Sequence, residues 1–193
     1  MKRQSFIMLL LKGIGYIIFG NVLCLFMTMG LTMFGGNIFT NVLAMLCGTA
    51  IFYMLIFTAA WKDGVRERKL VNSGTVPSQL KYRWIFIGLA MFAAAAAPTV
   101  VLLLNKLLFP QYDLLIYYRL ISGSALPFVV TFIPVSSDQT YAWVETAVNQ
   151  VDNMPVLFPI LMLVFYLLIP VCTHIAYNMG YNDRLNPDKV MYK

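Results

Sequence analysis

The sequence predicts an all-α polytopic membrane protein with four transmembrane helices arranged as two helical hairpins. Of its 193 residues, 60% are hydrophobic and 11% are charged, whereas a soluble globular domain carries roughly 25% charged residues. The apolar residues fall in four long runs rather than in short amphipathic stripes. Most Lys and Arg residues flank these runs, where they act as topology determinants. Together these patterns predict a single membrane domain over residues 1–193.

The first hairpin is predicted from two runs joined by a short turn. Residues 13–34 are free of charge and exceed the roughly 20 residues that a helix needs to cross the hydrocarbon core. The pair Gly35-Gly36 indicates a tight turn. Residues 38–60 form the second run, which ends at Trp61, a residue type typical of the membrane interface.

The second hairpin is predicted from two further runs, at residues 84–104 and 156–177, with Pro170 expected to kink the last one. A hydrophilic connector at residues 61–83 joins the two hairpins. A longer connector at residues 105–155 separates the third and fourth spans and is interpreted as an insertion in the second half of the chain.

The orientation follows from the distribution of Lys and Arg. The N-terminal segment holds three of them, the 61–83 loop six and the C-terminal tail three, while only Lys106 and Arg119 lie on the other side. The positive-inside rule therefore predicts that both termini and the 61–83 loop lie in the cytoplasm. We expect a multi-pass protein of the plasma membrane.

The outer connector contains one ambiguous stretch. Residues 114–135 are apolar but are interrupted by Arg119 and by Gly and Pro residues. A fifth span here would place an acidic segment in the cytoplasm and the basic tail outside, so we expect a segment that is interfacial or partly inserted from the outer face. Apolar residues at helical spacing predict an amphipathic helix over about 138–151.

Similar patterns open and close the two hairpins. The openings read Arg-x-x-Phe-Ile-x-Leu from Arg3 and from Arg83. The closing ends place the same residue types at equal spacing: Ala60, Trp61, Gly64 and Arg68 in the first half, and Ala176, Tyr177, Gly180 and Arg184 in the second. This pattern favours a parallel 2+2 internal repeat in which the acidic residue before each closing arginine pairs across the repeat. The alternative is that any cytoplasmic helix end combines aromatic and basic residues.

Small residues mark candidate packing faces. Ala44 and Gly48 lie four residues apart on the second span, and Ala93 and Ala97 lie four apart on the third. Such spacing places small side chains on one helix face, where another backbone can approach closely. These four positions are predicted to contact a neighbouring helix of the chain or a partner.

Arg119 is the charge that fits its apolar surroundings least well. In one interpretation a broken, partly inserted segment lines a cavity, where Arg119 attracts an anion and has Asp113 or another carboxylate as its resting partner. In the other, Arg119 reaches lipid headgroups from an interfacial helix. Arg119 and Asp113 are therefore candidate ligand or lipid contacts.

The sequence offers little for catalysis. The single histidine, His174, lies two residues after Cys172, which is too few ligands for a zinc site. The spans lack paired nucleophiles and bases. We therefore expect no enzyme activity, no cofactor, no metal and no nucleic-acid binding. The leading hypothesis is a non-enzymatic subunit or accessory protein of a membrane complex, in contact with the bilayer and with itself or another membrane protein. The alternative is a small homo-oligomeric transporter or channel.

Overall fold

A computed structural model of the chain describes residues 3–33, 38–110, 112, 114–133, 151 and 154–182. Within these ranges the regular secondary structure is entirely helical, which confirms the predicted all-α class. The helices, in chain order, are α1 (Phe6–Met33), α2 (Ile38–Asn72), α3 (Arg83–Leu108), α4 (Leu115–Ile121), α5 (Leu126–Phe132) and α6 (Leu157–Tyr181).

Four of these helices, α1, α2, α3 and α6, are long and apolar enough to cross a membrane. Their surfaces carry large apolar side chains that protein does not cover, such as Ile38 at 82% exposure and Phe26 at 68%. Apolar exposure on this scale is typical of a lipid-facing surface. The chain is therefore a multi-pass membrane protein.

Helix α2 continues well beyond its apolar run. Its 35 residues give an axial length of about 52 Å, whereas the hydrocarbon core is about 30 Å thick. The predicted 61–83 connector is therefore helical as far as Asn72. Gly74 follows the end of the helix by two residues and has a φ of +68°, which glycine adopts readily. Thr75 N–H donates back to the Leu70 carbonyl at 3.1 Å.

The chain divides into two compact units. Within the described residues, the first unit contains residues up to 17, residues 53–93 and residues from 167 onward. The second contains residues 18–52 and 94–166, and so holds all of α4 and α5. Several predictions lie outside the described residues: the turn at Gly35-Gly36, Asp113, the amphipathic helix over about 138–151 (Val151 apart) and Arg184.

Candidate functional site

The second unit contains a helix that is broken at a polar sequence. Helices α4 and α5 have seven residues each and flank the segment Ser122–Ala125. Ser122 leaves the helical conformation with φ −104° and ψ 62°, and its N–H donates to the Tyr118 carbonyl. Pro127 stands in the first turn of α5, where the missing N–H of proline costs no helical hydrogen bond.

The break packs directly on the backbone of α1. A Cβ atom at Gly123 would overlap the Asn21 carbonyl oxygen, so only glycine allows this approach. Ser124 donates to Asn21 Oδ1 from its N–H at 3.0 Å and from its hydroxyl at 2.7 Å. The same hydroxyl lies 3.1 Å from the Tyr166 hydroxyl of α6. The broken segment is thus held between α1 and α6 by a polar network.

This network lies inside protein rather than in open space. Ser124 and Tyr166 are each 1% exposed, and Ser122 is 2% exposed. Nearby, the Tyr118 hydroxyl of α4 lies 3.1 Å from the Thr99 hydroxyl of α3, and both residues are buried. Buried polar groups that satisfy one another fix a unique arrangement. The network therefore specifies where α4 and α5 sit against the long helices.

Arg119 stands in the last turn of α4, where a cation interacts favourably with the carboxyl end of a helix. Its side chain is half-buried and is engaged by neighbouring groups. Its predicted partner, Asp113, lies outside the described residues, so the pairing of the two remains a prediction.

The four predicted packing positions have different surroundings. Ala44 and Gly48 are buried, and Gly48 faces Met27 of α1 and Pro127 of α5 at contact distance. The Cys24 thiol also donates to the Gly48 carbonyl at 3.3 Å. This face of α2 is therefore covered by the chain itself.

Ala93 and Ala97 of α3 are instead exposed, whereas Ala95 and Ala96 turn inward. Ala97 borders a groove of about 390 Å³ between α3 and α4 in the second unit. The groove is apolar and is also lined by Ala94, Pro98, Val101, Tyr117 and Ile121.

In the first unit, the predicted helix-end residues of the two hairpins meet one another. A Cβ at Gly64 would overlap the Tyr177 carbonyl oxygen, and a Cβ at Gly180 would overlap the Trp61 carbonyl oxygen. Ala60 and Ala176 are fully buried beside them. Helices α2 and α6 therefore approach at backbone contact through equivalent positions of the two patterns.

Arg68, the last described member of this pattern, is half-buried and engaged by neighbouring groups. Arg184 lies outside the described residues. The duplication itself remains a prediction.

Next to this crossing lies a cluster of buried charges. Glu67, at 2% exposure, pairs with Arg3 and lies 3.8 Å from Arg83 Nη1. Arg83 Nη1 is also 4.0 Å from Asp63 Oδ2, and the Trp84 indole N–H donates to that oxygen at 2.8 Å. Two carboxylates are thus balanced by two guanidinium groups, one from each of the two similar hairpin openings.

The sequence identified both arginines and predicted that the acidic residue before Arg68 pairs across the repeat, but it did not identify the partners of that residue. Glu67 contacts the arginine of its own half as well as that of the other half. Asp63 was not predicted to take part. The available signal in the sequence was its position, because this carboxylate follows the end of the 38–60 run by only three residues.

The remaining candidate groups are held by local contacts. The His174 ring is nearly parallel to the Tyr82 ring at a centroid distance of 6.3 Å, and its Nε2 lies 3.0 Å from the Asn178 amide nitrogen. Among the described residues, no three His, Cys, Asp or Glu side chains are grouped as metal ligands.

Comparison of the sequence with protein-family models, with curated proteins and with solved structures gives no match.

Proposed function

We propose that this chain is a non-enzymatic membrane subunit that works by associating with a transmembrane helix of another chain. The proposal depends on the exposed small-residue face of α3. Ala94 and Ala97 border the 390 Å³ groove, which residues of α4 complete on its other side. Small residues let two helix backbones approach closely in lipid, where dispersion contacts and hydrogen bonds drive association.

The character of the face supports a helix as its occupant. The groove is apolar along α3 from Ala94 to Val101 and is flanked by Tyr117 and Ile121 of α4. A helix laid against α3 there would contact alanine at the crossing point and larger side chains at the rim. A second copy of the chain is the first partner to test.

The test combines one substitution with one cross-link in reconstituted vesicles. Ala97→Leu should disrupt the association, whereas Ala50→Leu, a matched change at an exposed position of α2, should leave it intact. Ala97→Cys in a background without the native cysteines should cross-link to a second copy. A stoichiometric co-purifying chain that Ala97→Leu releases would instead identify a different subunit. An unchanged assembly in Ala97→Leu would refute the proposal.

A second candidate function, transport by a homo-oligomer, is favoured by the broken segment. Asn21 lies eight residues after Gly13 and Tyr166 ten residues after Val156, which corresponds to about 12 and 15 Å along their helices. In a hydrocarbon core about 30 Å thick, both partners of Ser124 are near mid-depth. We infer that residues 114–133 enter from the outer face and return to it, as broken helices do at substrate sites of transporters.

Chloride efflux from proteoliposomes tests this second candidate. Arg119→Gln should reduce the efflux if Arg119 attracts the anion, and Lys81→Gln, which removes an exposed charge from the 61–83 connector, serves as the control. An efflux equal to that of protein-free vesicles would contradict anion transport by the chain alone.

A further inference from the structure

A small cavity in the first unit lies among basic side chains. It has a volume of about 160 Å³, roughly five times the ~30 Å³ that a water molecule occupies in the liquid. The residues relevant to its chemistry are Lys12, Lys62, Arg66, Asp63, Tyr16 and Trp84. We propose that this cavity binds the phosphate group of an anionic phospholipid, independently of the association at α3.

The cavity lies where lipid phosphates are found. Lys12 directly precedes the apolar run 13–34, Lys62 follows the run 38–60, and Trp84 opens the run 84–104. Three separate helices thus place the start or end of an apolar run at this cavity. Aromatic residues such as Trp84 are enriched at headgroup level, and basic pockets between helices on the cytoplasmic side bind anionic headgroups.

The charges around the cavity favour an anion. Asp63 is the one acidic residue among the residues that line it, and its carboxylate already accepts from Trp84 and faces the buried Arg83. Lys12 and Lys62 are exposed, and neither has an ion pair among the described contacts. With Asp63 balanced from inside, the ammonium groups of Lys12 and Lys62 can attract a ligand.

The size of the cavity limits the ligand to a small group. A phosphate has five heavy atoms, so a space of about 160 Å³ accommodates it together with the adjoining glycerol carbons. Lys12 and Lys62 would contribute charge. The same chemistry would accept a soluble phosphate ester, so the experiment must separate the two sources.

Native mass spectrometry of the full-length protein in detergent, titrated with phosphatidylglycerol or with phosphatidylcholine, measures the binding. A Lys near an anionic lipid surface contributes a factor of about five in affinity. The double variant Lys12→Gln/Lys62→Gln should therefore bind phosphatidylglycerol about 25-fold more weakly. The control Lys69→Gln/Lys81→Gln removes the same charge at exposed positions away from the cavity and should bind as the wild type does.

A cavity-filling variant separates a defined site from general surface attraction. Ala59→Phe occupies the space from a lining position without changing the charge and should also abolish preferential binding. Equal weakening in both lysine double variants, or unchanged binding in Ala59→Phe, would overturn the proposal. Competition by millimolar glycerol 3-phosphate would assign the site to a soluble phosphate ester, and its absence to the lipid; either result supports a phosphate site. Tryptophan fluorescence and elution volume identify a variant that fails to fold, in which case the lysine pair is tested one residue at a time.

Discussion

Neutralising Glu67 should lower the free energy of unfolding by more than neutralising any exposed charge nearby. Glu67→Gln keeps the shape of the side chain but removes the charge that pairs with Arg3 and Arg83. Removal of one partner from a buried ion pair costs about 3–5 kcal/mol because the other charge stays buried. Arg83 keeps Asp63 at 4.0 Å, and the Arg3 side chain is 26% exposed. We therefore expect a loss of about 3 kcal/mol, the lower end of that range.

The free energy of unfolding can be followed by titrating dodecylmaltoside micelles with SDS and recording tryptophan fluorescence, which reports on the buried Trp84. Lys69→Gln, two positions along at an exposed site, should change it by less than about 0.5 kcal/mol. The double variant with Arg83→Gln should be less unstable than the sum of the single changes by at least about 1 kcal/mol. Strict additivity, or a Glu67→Gln variant as stable as the control, would refute the role given to this cluster.

Three further predictions concern the crossing of α2 and α6, the broken segment and the orientation in the membrane. Gly64→Ala forces a Cβ against the Tyr177 carbonyl and should lower the free energy of unfolding by about 1–3 kcal/mol in the same titration. The control Gly15→Ala, whose Cβ meets nothing within 4 Å, should raise it by about 0.5–1 kcal/mol. Equal effects of the two changes would contradict the close crossing of α2 and α6. Ser124→Ala removes the hydroxyl that donates to the Asn21 amide oxygen at 2.7 Å and leaves the backbone N–H as the donor. It should cost about 0.5–1.5 kcal/mol in the same titration, and an unchanged free energy of unfolding would count against the network. Replacing the exposed lysines of the 61–83 connector by Glu should reduce the fraction of molecules with this connector in the cytoplasm. Cysteines introduced into the connector should then be labelled from both sides of the membrane. Labelling unchanged from that of the wild-type connector would contradict the use of the positive-inside count.

The sequence predicted the four membrane helices because length and hydropathy determine which segments can cross a bilayer. It predicted their ends less well, since hydropathy reports where lipid ends rather than where a helix ends. Helix α1 begins at Phe6 and passes through Lys12, whose charge does not interrupt helical hydrogen bonding. Helix α2 stops near Gly74, where glycine takes a positive φ, and not at the charged boundary after Ala60.

The candidate site could be predicted as a set of residue types but not as a set of contacts. Ala44 and Ala97 look alike in the sequence, yet one is covered by the chain and the other is exposed. Small residues have the same spacing in an internal contact and in a partner contact, so the pattern cannot separate them. The pairing of Arg3 with Glu67 spans 64 positions, and no local periodicity reports a contact at that separation.

The internal contacts of this chain support the proposal that a partner helix packs on the exposed face of α3. In lipid, burial of apolar surface gives little drive for helices to associate, so close approach and polar contacts must supply it. The chain places glycine where its own helices touch, as at Gly88 against Pro170 and at Gly64 against Tyr177. Many of its exposed positions elsewhere carry large apolar side chains. Ala94 and Ala97, beside the groove, are small like the residues at the internal helix contacts but exposed like the large apolar side chains. A helix of another chain packed on them would place these small residues in a helix contact as well.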